Sequence, residues 1–397
     1  MRSLIVAADY PWPPVAGSRI RLACTVEALL GLGPVDLFSL VEPERRDIEA
    51  PPPGVRACCL PLEASSLRRY LSRLADWRHP MELQLHRARE ARAALSGFAK
   101  DGYDLAWYFR AAAWVLCGHP SPAPAVVDLD DLEDAKIGAR LAATDQAATW
   151  RQRAARALGL EDARRWRSLQ HRIARRAAAV VVCSLEDKER LGVAGAAVVP
   201  NCYPVPASPV GRLKVGRPPT VLFGGSLRYP PNTDAARWLV AEVGPRLRRL
   251  VPGVRLRLAG LAPPEVRHLH RPPEVSVAGE VGDMSRELAV ADLVAVPVRY
   301  GSGTRIKLLE AFAHRVPAVS TTAGAEGLGV ADGVQLLLAD EPDGFAEAAA
   351  RLLSDMDLRR ELADRAQRTY LERFTPSRAQ ARVRSLATAV STARRFS

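Results

Sequence analysis

Residues 301–311 read Gly-Ser-Gly-Thr-Arg-Ile-Lys-Leu-Leu-Glu-Ala, which sets a glycine-rich turn, two cations and one carboxylate at the start of an expected helix. Residues 292–297, Asp-Leu-Val-Ala-Val-Pro, read as a short buried strand before it, and Ile306, Leu308, Leu309, Phe312 and Ala313 recur at helical spacing after it. In such a unit the unpaired amides of the first helical turn point out of the strand's carboxyl end, where the helix dipole favours an anion. Gly301 and Gly303 let the backbone approach a ligand closely, with Ser302, Thr304 and Arg305 beside them. Lys307 lies one turn into the helix, and Glu310 returns to nearly the same face as Gly303. Cations there can meet phosphate oxygens while the carboxylate accepts from two ribose hydroxyls. The set therefore suits a diphosphate attached to a ribose; the competing reading is a surface Lys307/Glu310 pair at i, i+3 beside a loop glycine.

A second cluster, Asp128-Leu-Asp130-Asp131-Leu-Glu133-Asp134, follows directly on an expected strand and so falls at its carboxyl end. Three readings stand. A carboxylate here can orient a substrate hydroxyl, with Asp130 or Asp131 best placed and Asp128 beside them. The same residues also suit helix N-capping, or an oxygen-ligand site for magnesium. Arg110, just past the strand that ends at Tyr108, is a further substrate-side candidate, whereas His119, between Gly118 and Pro120, reads as a loop residue and His314 as structural.

The elements that must carry these groups can be read along the chain. At 397 residues two domains are the natural division, and 48% apolar with 25% charged residues indicates a globular protein. No run reaches the roughly 18–20 apolar residues of a membrane span, and the N-terminal apolar run is soon followed by Asp9, too short for a signal peptide. A cytoplasmic protein is expected. Six cysteines without a CxxC spacing fit reduced thiols and give no metal site. The formal charge of +12 calls for an anionic partner without choosing among nucleotide, membrane surface and nucleic acid.

Short apolar runs at 4–8, 35–40, 55–60, 105–108, 125–129 and 180–183 alternate with helical stretches such as 19–32 and 83–98, which predicts a parallel, doubly wound sheet. Residues 140–179 read as one or two long amphipathic helices rich in arginine, with Trp150, Leu158, Leu160, Trp166, Leu169 and Ile173 as the apolar stripe; their arginines face either water or an anionic lipid surface. The proline-rich stretch 201–219 reads as a linker. A second alternating series follows at 221–224, 254–259, 275–278, 293–297, 318–321 and 335–339. The expected organisation is an N-terminal Rossmann-like domain over 1–203, a linker over 204–219, a second Rossmann-like domain over 220–375, and a last helix within 376–397 that returns to the first domain.

With these blocks in order, the chain resembles a GT-B fold glycosyltransferase of family 4 over nearly its whole length. Val221-Leu-Phe-Gly-Gly-Ser-Leu-Arg-Tyr-Pro-Pro-Asn232 resembles the first strand and diphosphate turn of the donor domain, and 275–281 with Asp292 and Pro297 its base-binding region. Residues 301–313, Pro317-Ala-Val-Ser-Thr321 and Gly324-Ala-Glu-Gly327 resemble the family signature, in which a glutamate spaced like Glu310 holds the donor ribose. In the first domain Pro14-Val-Ala-Gly17-Ser-Arg19, Val180-Val-Val-Cys-Ser184 and Val199-Pro-Asn201 also fit. The chain departs from the pattern in three places. Ser302 stands where many members carry a first glutamate, Asn232 lies near the usual place of a lysine, and Ala16-Gly17 replaces a Gly-Gly pair.

The resemblance implies transfer of a sugar from a nucleotide sugar to an acceptor hydroxyl with retention at the anomeric carbon and without a metal or other cofactor. It assigns Arg228, Arg305 and Lys307 to the leaving diphosphate, as electrostatic stabilisation of the transition state. Gly17, Gly225, Ser226, Val281, Gly301, Ser302, Gly303, Thr304 and Glu310 then contact the donor, and Arg110, Asp128, Asp130 and Asp131 the acceptor. UDP, GDP and dTDP are all open as the donor nucleotide; a lipid-linked glycan, an exported polysaccharide and a small natural-product aglycone are open as acceptors. Abundant arginine and alanine suggest a bacterial source. The competing functions are a sugar-nucleotide epimerase of the same fold, which needs an acid/base set in the site, and a noncatalytic nucleotide-sugar-binding partner of another transferase. Nucleic-acid binding finds no recognisable module.

Overall fold

A computed structural model describes residues 1–43, 45, 47–62, 79–83, 88–100, 102–143, 149–207, 217–301 and 305–393. The chain divides into two compact units, residues 1–202 together with 376–397, and residues 203–375.

In the first unit a seven-stranded sheet is built from β1 (Ser3–Ala7), β2 (Val35–Val41), β3 (Val55–Pro61), β4 (Leu105–Phe109), β5 (Ala125–Asp128), β6 (Ala179–Val182) and β7 (Ala197–Val198), in the order β3-β2-β1-β4-β5-β6-β7. Every pairing is parallel, with Ala7 of β1 level with Ser39 on one side and Phe109 on the other. Helices α1 (Gly17–Leu30), α2 (Ala88–Phe98), α3 (Ala111–Cys117), α4 (Glu133–Ala143), α5 (Trp150–Arg176) and α6 (Leu185–Leu191) run between strands. Uninterrupted apolar strands such as β4, buried at all five positions, are what a sheet covered on both faces demands. The sheet turns back between β1 and β4, so these two strand ends leave a crevice where ligands of open α/β sheets bind.

The second unit repeats the plan with six parallel strands: β8 (Thr220–Gly224), β9 (Arg255–Ala259), β10 (Val275–Gly279), β11 (Leu293–Val296), β12 (Ala318–Ser320) and β13 (Leu337–Leu338), in the order β10-β9-β8-β11-β12-β13. Its switch point lies between β8 and β11. The helices that bear on the site are α7 (Pro230–Trp238), which a π-helical turn at 239–243 joins to α8 (Gly244–Leu250), then α9 (Pro264–Arg267), α10 (Met284–Val290) and α11 (Ile306–Ala313). Completing the unit are α12 (Thr322–Ala325), α13 (Pro342–Ser354) and α14 (Met356–Arg373). α11 is held down by Leu308, Leu309 and Phe312, all fully buried, which contributes on the order of 5–9 kcal/mol of gross apolar burial. Lys307 and Glu310 are thus carried on a helix that cannot roll.

The last helix, α15 (Pro376–Ala393), packs on α1 within the first unit; the Cys24 thiol meets the Pro376 carbonyl at 3.6 Å and Gln380 donates to Glu27 at 2.9 Å. The expected strands are found within a residue or two, and β7 is an addition. The expected stripe of residues 140–179 divides in the structure. Trp166, Leu169 and Ile173 are buried, whereas Trp150, Leu158 and Leu160 are exposed, because the first turns of α5 extend past the core. Of the expected linker 204–219, residues 208–216 lie outside the described residues.

Candidate functional site

Three chain segments converge at the carboxyl ends of β8 and β11. The first is the turn from β8 into α7, Gly225 to Tyr229, which begins with Gly225 donating to the Ala259 carbonyl at 2.9 Å. A β-carbon on Gly260 would lie 1.9 Å from the Gly225 oxygen, and Gly260 has φ +135°, so only glycine lets the β9 loop lie against this turn. Ser226 and Arg228 are exposed on it, and Asn232, one turn into α7, donates from Nδ2 to the Ser226 carbonyl at 2.8 Å.

Lys307 comes from the second segment, α11. Its Nζ donates to Asn232 Oδ1 at 2.8 Å, lies 5.3 Å from the Phe223 ring centre, and is 3.5 Å from where a β-carbon on Gly225 would stand. Burial away from water, reinforced by the neighbouring Arg305 cation and opposed by Glu310, pushes the Lys307 pKa down to about 7. Gly301, at φ +133°, passes under the Arg305 guanidinium, which an added β-carbon would meet at 2.6 Å. Ser302, Gly303 and Thr304 lie outside the described residues.

Glu310 is one turn further along α11 and is oriented from the third segment. The Tyr203 hydroxyl donates to Glu310 Oε1 at 2.8 Å, and Tyr203 is fixed in turn by its amide on the Phe374 carbonyl and by the Tyr370 hydroxyl on its own carbonyl. Burial raises the Glu310 pKa to about 7 against the lowering effects of Tyr203 and Lys307. His314, 7% exposed, meets the Tyr203 ring edge-on at 6.2 Å, and burial lowers its pKa against the opposing effect of Asp283. Val281, after β10, is partly buried against the same core. The result is a cation and a carboxylate one turn apart on one helix, each poorly solvated and each held by a neutral partner. A diphosphate beside Lys307 would restore its charge, and hydroxyls beside Glu310 would satisfy its free lone pairs.

The acidic cluster of the first unit proves to be two different things. Asp128, 1% exposed, is clamped by Arg21 through two hydrogen bonds of 2.8 and 3.0 Å, and Arg21 also donates to the Val199 carbonyl and Asn201. Both Asp128 oxygens are therefore engaged within the protein. Asp130, 4% exposed and at φ +60°, faces Arg110, at φ +70°, across 3.4 Å. Left-handed backbone at two non-glycine residues on adjacent strand ends is strain of the kind that accumulates at functional sites. Burial, with Asp131 adding and the two arginines opposing, raises the Asp130 pKa to about 6. Arg110 and Asp131, by contrast, line a cavity of about 260 Å³ at the carboxyl ends of β1, β2, β4 and β5, with Trp166 and Gln170 on another wall. Gly17 opens α1, preceded by a loop that Arg45 pins through Asp9 and the carbonyls of Tyr10 and Trp12. His119 belongs to a packed trio, accepting or donating at Nδ1 with the Tyr108 hydroxyl at 2.9 Å and stacking on Trp114.

Sequence reading did not find Tyr203, Gly260 or Arg21. Tyr203 falls at the boundary of the expected linker, and its partner lies 107 residues away. Among the described residues no group of three or more His, Cys, Asp and Glu side chains is placed to hold a metal ion, and no helix is long and apolar enough to cross a membrane.

Two doubly wound parallel sheets of seven and six strands, each with a switch-point site, define the GT-B class of α/β proteins. Solved structures agree along the whole chain. The sucrose-phosphate synthase of Thermosynechococcus elongatus superposes with a TM-score of 0.70 at 18% identity, covering 99% of each chain. Anabaena Alr3699/HepE, solved in complex with UDP, superposes with a TM-score of 0.65 at 14% identity, covering 98% of this chain and 100% of that one. Residues 218–355 match the family of glycosyl transferases group 1. An uncharacterized 44.6 kDa protein in the cps region of Klebsiella pneumoniae is 27% identical over 136 residues; the match spans about a third of each protein, 32% of this chain and 35% of the relative.

Proposed function

We propose that the second unit binds a nucleotide sugar at the ends of β8 and β11 and that its sugar is transferred, with retention, to an acceptor hydroxyl at the Arg110/Asp131 cavity of the first unit. The observation that carries this reading is the pairing of a desolvated Lys307 at the Gly225 turn with a desolvated, Tyr203-oriented Glu310 one helical turn away. Lys307, Arg305 and Arg228 supply positive charge to the diphosphate as its bond to the sugar breaks; the electron pair goes to the leaving oxygen, and the helix amides add to its stabilisation. Because these cations come from the chain, the proposed reaction is independent of a metal ion. The acceptor's proton is taken by an oxygen of the departing diphosphate on the same face, so the new bond forms where the old one broke.

UDP is the first nucleotide to test, with GDP and dTDP beside it, because the structural neighbour HepE was solved with UDP. The reading is tested by incubating the protein with UDP-, GDP- and dTDP-sugars, with and without a chelator, and following release of the nucleoside diphosphate in the presence of pooled hydroxylated acceptors. Release from one donor, unaffected by the chelator and abolished in Lys307→Met, supports it. A release that needs added metal, or one that survives Lys307→Met, counts against it.

A further inference from the structure

Helix α5 carries a feature that the transfer reaction does not use. Over its 27 residues it holds nine arginines against two carboxylates, Glu161 and Asp162. It begins sharply at a capping box between Thr149 and Gln152, and its buried residues, Trp166, Leu169, Gln170 and Ile173, all belong to its second half. The first half extends beyond this core, resting on α4 where Leu141 approaches Gly159 and receives the Arg156 guanidinium on its carbonyl. On that half Trp150 is 74% exposed, Leu158 59% and Leu160 45%. Trp150 meets the Arg151 guanidinium, 5.4 Å from its ring centre, and is otherwise open to water.

At helical spacings of three or four, residues 150, 153, 157, 160, 164, 167, 171 and 175 fall on one outward stripe, reading Trp, Arg, Ala, Leu, Arg, Arg, His, Arg. The stripe is exposed at every position but His171, which is half-buried; the Arg164 and Arg167 side chains are 80% and 72% open, even though they reach Glu161 at 3.7 Å and Asp134 at 3.0 Å. Apolar anchors at one end of a basic stripe match the two halves of a bilayer interface, with tryptophan and leucine at the headgroup boundary and arginine on lipid phosphate. Charge complementarity selects the occupant, because the stripe offers at least four arginines to an anionic surface.

We propose that the outward face of α5 docks this protein on an anionic lipid bilayer, with Trp150 and Leu160 entering the interface and Arg153, Arg164, Arg167 and Arg175 meeting phosphate. The helix lies along the surface and does not cross it. The proposal is independent of the nucleotide site, which lies in the other unit.

The test is sedimentation of the full-length protein with phosphatidylcholine vesicles, with and without phosphatidylglycerol, at low and high salt. Binding is expected only to the anionic vesicles and is weakened by salt. Reversing Arg153, Arg164, Arg167 and Arg175 to Glu should lower partitioning by roughly fivefold or more per residue, and Trp150→Ala with Leu160→Ala should lower it further at unchanged salt dependence. Thermal melting and nucleotide binding, unchanged in both variants, show that the fold is kept. Equal binding to neutral vesicles, no binding, or binding untouched by the charge reversal overturns the proposal. So does a concentration-dependent mass increase in light scattering that the same variants abolish, which would make the stripe a contact between two copies of the chain.

Discussion

Tyr203→Phe removes one hydroxyl whose hydrogen bond reaches Glu310 Oε1 at 2.8 Å and leaves the ring packing on His314 in place. A hydrogen bond to a charged group contributes about 1.5–3 kcal/mol. At about 1.4 kcal/mol per pKa unit, its loss lifts Glu310 by roughly one to two units. Glu310 titrates at about 7 with the tyrosine present, so near neutrality half of it is ionised. A rise of one to two units leaves about a tenth to a hundredth ionised at pH 7, and if ribose is held by the ionised form, nucleotide affinity falls roughly 5- to 50-fold there. The sign follows from the raised pKa: the ratio of variant to wild-type affinity is lowest at and below neutral pH and returns toward one as pH rises past the variant's own titration. Calorimetric titration of nucleotide into both proteins between acid and alkaline pH measures that ratio directly. A ratio that stays constant with pH, or an affinity that does not change, refutes the assignment of Glu310 as the ionised ribose acceptor set by Tyr203.

Lys307, held at about 7 by burial, is mostly neutral at pH 8 and should take up close to one proton when a diphosphate restores its charge; titrations in buffers of different ionisation heat will show this, and a heat independent of buffer contradicts it. Without ligand, the raised Glu310 pKa means that the folded state binds more protons than the unfolded state between 4.5 and about 7, so its contribution to stability falls as pH rises through that window; Glu310→Gln should flatten this part of a melting-temperature profile. Gly260→Ala places a methyl 1.9 Å from the Gly225 oxygen at φ +135° and should cost at least about 2–3 kcal/mol, seen as a lowered melting temperature. Asp128→Asn removes the carboxylate that clamps the buried Arg21 cation and should cost about 3–5 kcal/mol, read from denaturant midpoints; a change under one kcal/mol would show that Asp130, at 3.7 Å, with Val199 and Asn201, holds Arg21 without it.

Much of the fold was legible because parallel strands buried on both faces leave unbroken apolar runs, and β1, β4, β5, β8 and β11 were all read that way. The start of α11 was legible for a related reason, since Gly301, Lys307 and Glu310 are close in sequence and their common face follows from helical spacing alone. What supports them was not. Tyr203, Asn232 and Gly260 reach the site from 107, 75 and, through Gly225, 35 residues away, and only the packing of the sheet sets such distances. The acidic cluster shows the same limit from the other side. Five neighbouring carboxyl groups look alike in sequence, yet the partner supplied by Arg21, on α1, makes Asp128 a structural clamp while Asp131 lines a cavity. Periodicity also joined Trp150 to Ile173 in one stripe, because it reports which residues share a helix face and not how far the core extends along it.

The most direct test of the central claim is a binding titration of UDP, GDP and dTDP into the wild-type protein and into Lys307→Met and Glu310→Ala. One nucleotide should bind the wild type and, at about 100 times its dissociation constant, stabilise it by about 2.7 kcal/mol, or several degrees of melting temperature. Lys307→Met should lose most of that stabilisation through the diphosphate and Glu310→Ala through the ribose, with both variants folded. If no nucleotide binds the folded wild type, or if binding persists undiminished in both variants, the ends of β8 and β11 are not a nucleotide-sugar site.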